Sequence, residues 1–127
     1  MIAPMLTPRR IFIVDDDQDV ISLMTTLLEA RGHEIRSNLV GDQAIPQIVQ
    51  MRPHCVLVDL MMAAIDGYAL TAELKKRREL TDTKFVMVSA RTGAMWSERS
   101  RVAGLDGYIT KPFDIATFAE QVEAFLE

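Results

Sequence analysis

Six side chains of this chain could do chemistry as a group: Asp15, Asp16 and Asp17 in a row, then Asp59, Ser89 and Lys111. Each follows a short apolar or β-branched run. Clustered carboxylates repel one another and are tolerated when a hard cation neutralises them. Mg²⁺ takes one or two carboxylates together with carbonyl oxygens and waters. A lysine adds fixed positive charge, and a hydroxyl adds a hydrogen-bond donor. That combination suits a transferable phosphoryl group, with one aspartate as the nucleophile that forms an acyl phosphate. Singly, each residue has a plainer explanation. An aspartate triplet after a strand commonly caps the next helix and complements its dipole, a lone lysine is usually solvated, and a lone serine is a loop hydroxyl. The functional reading rests on their recurrence at successive strand ends.

The elements that would position these residues alternate in period. Ile11-Phe12-Ile13-Val14, Val56-Leu57-Val58 and Phe85-Val86-Met87-Val88 are continuous apolar runs, which implies strands buried on both faces between two helix layers. His33 to Ser37 reads as a weaker second strand, and Tyr108-Ile109 as a short fifth. Between them the spacing turns helical. Val20, Met24, Leu27 and Leu28 share one face, closed by Gly32. Asp42 is expected to cap a second helix carrying Ile45, Ile48 and Val49, with Pro46 in its first turn. Tyr68, Leu70 and Leu74 begin a third helix, which is expected to end in Lys75-Lys76-Arg77-Arg78. A fourth runs from Ser97 to Ala103 ahead of Gly104. Asp114 is expected to cap the last, with Ile115, Phe118, Val122 and Phe125 at core spacing. Successive βα units predict a doubly wound α/β fold, (βα)5, with right-handed crossovers and a parallel sheet flanked by helices. In such a sheet ligands collect at the carboxyl ends of the strands, where these six residues fall.

Composition narrows the function classes. At 127 residues one domain is expected. With 49% hydrophobic and 25% charged residues the chain is neither disordered nor fibrous. A net charge of −4 argues against direct nucleic-acid binding, which calls for a basic face. The single cysteine, Cys55, excludes an intrachain disulfide and a cysteine zinc cluster, and reads as a small core residue. No apolar run approaches the roughly 18 residues of a membrane span, and Met1 to Pro8 lacks the pattern of a signal peptide. A cytoplasmic protein without membrane attachment is expected, with residues 1–8 as an N-terminal tail, 9–127 as the domain, and no linker to an output domain.

Taken together, these residues resemble a response-regulator receiver domain of the single-domain, chemotaxis-receiver kind, from about Arg10 to Leu126. The stretches that carry the resemblance are Ile13-Val14-Asp15-Asp16-Asp17, Asp59 followed by Asp66-Gly67, Ser89-Ala90, and Ala103-Gly104-Leu105-Asp106-Gly107-Tyr108 with Thr110-Lys111-Pro112-Phe113. The resemblance implies a flavodoxin-like sheet in strand order 2-1-3-4-5. It implies Asp15 and Asp16 as metal-site acids, Asp59 as phosphoacceptor and the Met61 backbone carbonyl as a further ligand of Mg²⁺. It implies Lys111 and the Ser89 hydroxyl on the phosphoryl group, Ser89 and Tyr108 as the switch pair, and a candidate cis bond at Lys111-Pro112. It also implies that Met61 and Arg91 flank the path of the attacking water. The implied function is a two-component phosphorelay switch. It takes a phosphoryl group from a histidine kinase or phosphotransfer protein and changes affinity for a downstream target protein. It also catalyses its own phosphorylation and slow hydrolysis, so the label of enzyme is borderline. One departure is Ala63, where the family usually has proline, a loop difference that removes no catalytic group.

Competing readings fare worse on the residues. A haloacid-dehalogenase-type phosphatase wants an aspartate two positions after its nucleophile, and Met61 stands there. A flavodoxin-like cofactor binder wants a glycine- and hydroxyl-rich loop after the first strand, and the aspartate triplet would repel a phosphate without metal. A pseudo-receiver that only binds partners is the remaining alternative. The basic run Lys75 to Arg78 reads first as macrodipole compensation in a last helical turn. His33 and His54 sit at strand starts, away from the chemistry, and Met95 with Trp96 are candidate exposed partner contacts.

Overall fold

The computed structural model describes residues 7–62, 65–91 and 93–127. Met1 to Leu6 of the expected tail therefore lie outside the described residues, as does the Ala63 departure. Five strands, β1 (Arg10–Val14), β2 (Glu34–Asn38), β3 (Cys55–Val58), β4 (Lys84–Ser89) and β5 (Gly107–Thr110), alternate with five helices. The helices are α1 (Gln18–Glu29), α2 (Gly41–Met51), α3 (Gly67–Lys75), α4 (Ala94–Val102) and α5 (Phe118–Ala124). The sheet is parallel, in order β2-β1-β3-β4-β5.

Burial explains the run lengths. Ile11 to Val14, Cys55 to Val58 and Phe85 to Val88 are all at most 1% exposed, because helices cover both faces of the three inner strands. Phe12, Val14, Val56, Val58, Phe85 and Met87 pack with Ile48, Leu70 and Leu74 on one face. Ile11, Ile13, Leu57, Val86 and Val88 pack with Met24, Leu28, Phe118 and Val122 on the other. β2 is an edge strand, and among its residues only Ile35 and Asn38 are half-buried. Its signal is weak because one neighbour is missing.

Caps and helix starts depart from expectation in instructive ways. α2 begins at Gly41, after Val40, which makes no side-chain cap bond; Asp42 lies in the first turn, and Pro46 sits inside the helix. The Asn38 side chain does the local work instead, accepting from Val40 N at 2.8 Å. Asp114 caps a turn rather than the last helix: its carboxylate accepts from Ala116 N at 2.9 Å, and α5 proper starts at Phe118. Ile115 is consequently 62% exposed and not in the core. α3 stops at Lys75, so Arg77 and Arg78 lie past the helix, Arg78 opening a 3-10 turn, Arg78–Leu80. α4 starts three residues before the expected Ser97, directly after Gly93 at φ +104°.

Candidate functional site

Strand pairing brings the expected residues side by side. Val14 pairs with Val58, so Asp15 and Asp59 leave neighbouring strands at the same end. Asp59 N donates to the Val14 carbonyl at 2.9 Å, continuing the ladder one step past the strand. Ser89 pairs with Thr110, and Lys111 N donates to the Ser89 carbonyl at 2.7 Å. The Lys111-Pro112 bond is cis.

The aspartate triplet divides its labour. Asp17 is the helix cap: its Oδ1 accepts from Asp19 N at 2.9 Å and Val20 N at 3.3 Å. Asp15 turns inward, 1% exposed, with Oδ1 accepting from Asp17 N at 3.0 Å and Oδ2 from Lys111 Nζ at 2.7 Å. Asp16 is exposed at the rim. One carboxylate oxygen each of Asp15, Asp16 and Asp59 lie within 4.8 Å of one another. An all-oxygen set of this kind fits a hard cation, and the acidic cluster is able to hold a metal ion.

Electrostatics mark Asp59 as the odd carboxyl. It is 8% exposed. Burial, then the charge of Asp15, then that of Asp16 push it up to about 6, against the opposing pull of Lys111. For Lys111 burial pulls downward, but its hydrogen bond and charge attraction to Asp15, with smaller contributions from Asp59, outweigh that and hold it above the ordinary lysine value. The ammonium is 2.7 Å from Asp15 and only 3.5 Å from Asp59. It therefore bridges the two strand ends, with its closer contact to Asp15.

The loop after β3 is held by Asp66 and Gly67. Asp66 caps α3, its Oδ1 accepting from Ala69 N at 2.8 Å. Gly67 N donates to the Leu60 carbonyl at 2.8 Å. A Cβ on Gly67 would lie 2.5 Å from the Asp59 carbonyl oxygen, so only glycine fits beneath the candidate nucleophile. Met61 is 57% exposed just beyond Asp59.

The remaining expected residues form a second group beside the first. Ser89 Oγ accepts from Arg91 N at 3.2 Å. The Tyr108 hydroxyl donates to the Arg91 carbonyl at 2.6 Å, and its ring is half-buried against the core. The Arg91 guanidinium lies 5.6 Å from the Trp96 ring centroid, with Arg99 at 5.2 Å. Met95 is 60% exposed, whereas Trp96 is half-buried between the two arginines. His33 and His54 sit at the opposite pole as structural acceptors, taking Arg9 N at 3.0 Å and Arg10 N at 2.9 Å on Nδ1. Sequence reasoning had no access to the link that closes that pole: Glu123 of α5 meets Arg31 at 2.7 Å and His33 at 2.8 Å.

Comparison with known proteins agrees with this geometry. The family described as response regulator receiver domain matches residues 11–123. The chain is 30% identical to the protein PilG of Pseudomonas aeruginosa over 104 residues, covering 82% of this chain and 77% of that protein. It is 29% identical to the polar-differentiation response regulator DivK of Brucella anthropi, covering 94% and 97%. It spans about half the length of other curated relatives, 48% in the case of the transcriptional regulator RpaA of Synechocystis. The structure of a CheY-like receiver domain protein from Methanospirillum hungatei superposes with a TM-score of 0.84 at 27% identity, over 94% of both chains. With its sheet order, its acidic strand ends and a family match over nearly its whole length, the chain belongs to the response regulator receiver domain family.

Proposed function

We propose that Asp59 is the phosphoacceptor of a two-component switch and that Asp15, Asp16 and the Met61 carbonyl, with Asp59 itself, hold Mg²⁺. The observation that carries this reading is the convergence of three carboxylates within 4.8 Å beside the Lys111 ammonium. When bound, the cation neutralises charge on the phosphoryl oxygens. The chain supplies the rest. An Asp59 oxygen attacks phosphorus, the bond from phosphorus to the donor's leaving group breaks, and Lys111 and the Ser89 hydroxyl take phosphoryl oxygens. Asp59 attacks as the carboxylate; in the metal-free protein burial, then the charge of Asp15, push its pKa up to about 6.

The donor is a histidine kinase or phosphotransfer protein, and the readout is altered affinity for a downstream target protein, without direct nucleic-acid contact. The receiver unit comprises residues 9–127, preceded by the tail 1–8, and acts in the cytoplasm. Among the described residues no helix is long and apolar enough to cross a membrane. Ser89 and Tyr108 form the switch pair. Because Tyr108 is already half-buried with its hydroxyl on Arg91, phosphorylation holds the ring where it can already sit rather than driving it there.

The test is incubation with a small acyl phosphate and Mg²⁺, read by intact mass. One phosphoryl group is expected on the native chain, none on Asp59→Asn, and little on Asp16→Ala. Equal modification in a metal-free buffer refutes the reading. The pseudo-receiver alternative predicts no adduct under any condition.

A further inference from the structure

The basic run at the end of α3 is only partly explained by the helix. Lys75 alone is basic in the last turn, and its Nζ is engaged by the Gly104 carbonyl at 3.0 Å. Lys76, Arg77 and Arg78 continue past the helix into the connection to β4. They meet Arg52, from the connection between α2 and β3, because β3 and β4 are paired neighbours. Arg52, Lys76, Arg77, Arg78 and Glu79 line an open basin of about 480 Å³. A second depression of about 310 Å³ shares Arg52 and Glu79 with it and adds Arg10 and His54.

Arg52 is held in place at some cost. It is the one non-glycine residue with positive φ (50°) among the described residues, a conformation that β-carbon residues adopt uncommonly. The Arg10 guanidinium secures it, donating to the Arg52 carbonyl at 2.7 Å and the Met51 carbonyl at 3.2 Å. Lys76 is paired with Glu73 at 3.0 Å. The side chains of Arg52, Arg77 and Arg78 are exposed and make no hydrogen bond or ion pair among the described residues. The local field is positive: burial, then the charges of Arg10 and Arg9, lower the pKa of His54.

We propose that this basin is a docking surface for an acidic segment of a partner protein, engaged independently of phosphorylation. The basin lies at the amino ends of the strands, about 15–20 Å from Asp59 along them. That exceeds the Debye length of about 8 Å at physiological salt, so the acidic pole does not cancel it. The occupant follows from the shape and the rim. An open basin leaves a small anion solvated, and exposed ion pairs are individually weak, so occupancy needs several carboxylates on one segment. A membrane surface would want apolar anchors, and among the described residues the exposed large apolar side chains, Leu23, Leu39, Met61, Met95, Val102 and Ile115, all lie on other elements.

The test titrates an N-acetylated octaglutamate peptide into isotope-labelled protein at physiological salt. Amide shifts are expected at Arg52, His54 and Lys76 to Glu79, and not at Asp15, Asp16 or Asp59. The double variant Arg77→Glu, Arg78→Glu is expected to bind at least about tenfold more weakly. Its ability to accept phosphoryl from an acyl phosphate shows that it is folded. Asp59→Asn is expected to bind the peptide as the native chain does, which separates this surface from the phosphorylation chemistry. Absence of shifts, shifts at the acidic pole, or equal binding by the double variant overturns the proposal. So does tighter binding of inorganic pyrophosphate at the same amides, or sedimentation of the native chain with phosphatidylserine vesicles, since each assigns the basin a different occupant.

Discussion

Replacing Asp59 with asparagine is expected to stabilise the metal-free protein while removing the proposed phosphoacceptor. The folded environment raises this carboxyl from 3.8 to about 6, through burial first and the charge of Asp15 second. A group raised on folding favours the folded state fully below its unfolded pKa, and that contribution is lost as pH rises through the folded value. The window therefore runs from about pH 4 to about pH 6, and the full cost of ionised Asp59 is present at neutral pH. Two pK units correspond to about 3 kcal/mol. The Asp59 side chain is 10% exposed, and screening through that face reduces the expected effect to about 1–2 kcal/mol. Asparagine keeps the shape and carries no charge, and Lys111 retains Asp15 at 2.7 Å as its partner. For a domain of this size the gain is a rise in Tm of about 3–8 °C. The assay is thermal melting of both proteins in EDTA at pH 7.5 and pH 4.5, followed by Mg²⁺ addition at pH 7.5. The gap should shrink to about a third at pH 4.5. Mg²⁺ should stabilise the native chain more than the variant, because a ligand stabilises only the state that binds it. A variant that melts at or below the native temperature in EDTA, or a gap that ignores pH, refutes the account of this carboxyl.

Three further perturbations address other parts of the structure. Gly67→Ala places a Cβ 2.5 Å from the Asp59 carbonyl oxygen and 3.1 Å from Leu60 Cα, both backbone atoms. It should cost about 2–3 kcal/mol in chemical denaturation and slow phosphorylation by displacing the loop of the proposed nucleophile. Glu123→Ala removes the shared partner of Arg31 and His33. Burial alone would raise Glu123, but the hydrogen bonds from those two residues outweigh it and hold it below the ordinary value. Its contribution is therefore present above the unfolded pKa and lost as pH falls through the folded one. With Arg31 41% exposed the loss should be about 1–3 kcal/mol at pH 7 in urea titrations, fading as pH falls below the ordinary carboxylate range. Met61→Asn replaces an exposed thioether beside Asp59 with a group able to orient water. Loss of phosphoryl should quicken by about tenfold, and an unchanged rate would show that Met61 does not gate the water.

Much of this fold was legible locally. The apolar runs at Ile11, Val56 and Phe85 declare buried strands because each is covered on both faces, and every one of those side chains must be apolar whatever its neighbours. The residues at their carboxyl ends were legible for the same reason: a strand that stops at Asp15, Asp59 or Ser89 delivers that residue to one edge of a parallel sheet. Where competing local signals are nearly equal, sequence was a poorer guide. Asp42 and Asp114 are good caps by type, yet Asn38 closes the turn before α2, and Asp114 spends its carboxylate on a preceding turn. A difference of about 1 kcal/mol between caps is easily outweighed by packing.

What only the tertiary structure decided are the contacts between residues far apart in the chain. Nothing near Lys111 says that its ammonium lies 2.7 Å from Asp15 and 3.5 Å from Asp59, an arrangement set by the order in which β1, β3, β4 and β5 pair. Nothing near Glu123 announces Arg31 and His33, some ninety residues earlier in the chain. The basic run after α3 became a surface only once β3 and β4 paired and brought Arg52 beside it. Side-chain type and spacing determine which groups arrive at a strand end. Distance, burial and protonation depend on which ends are neighbours, and that is a property of the assembled sheet.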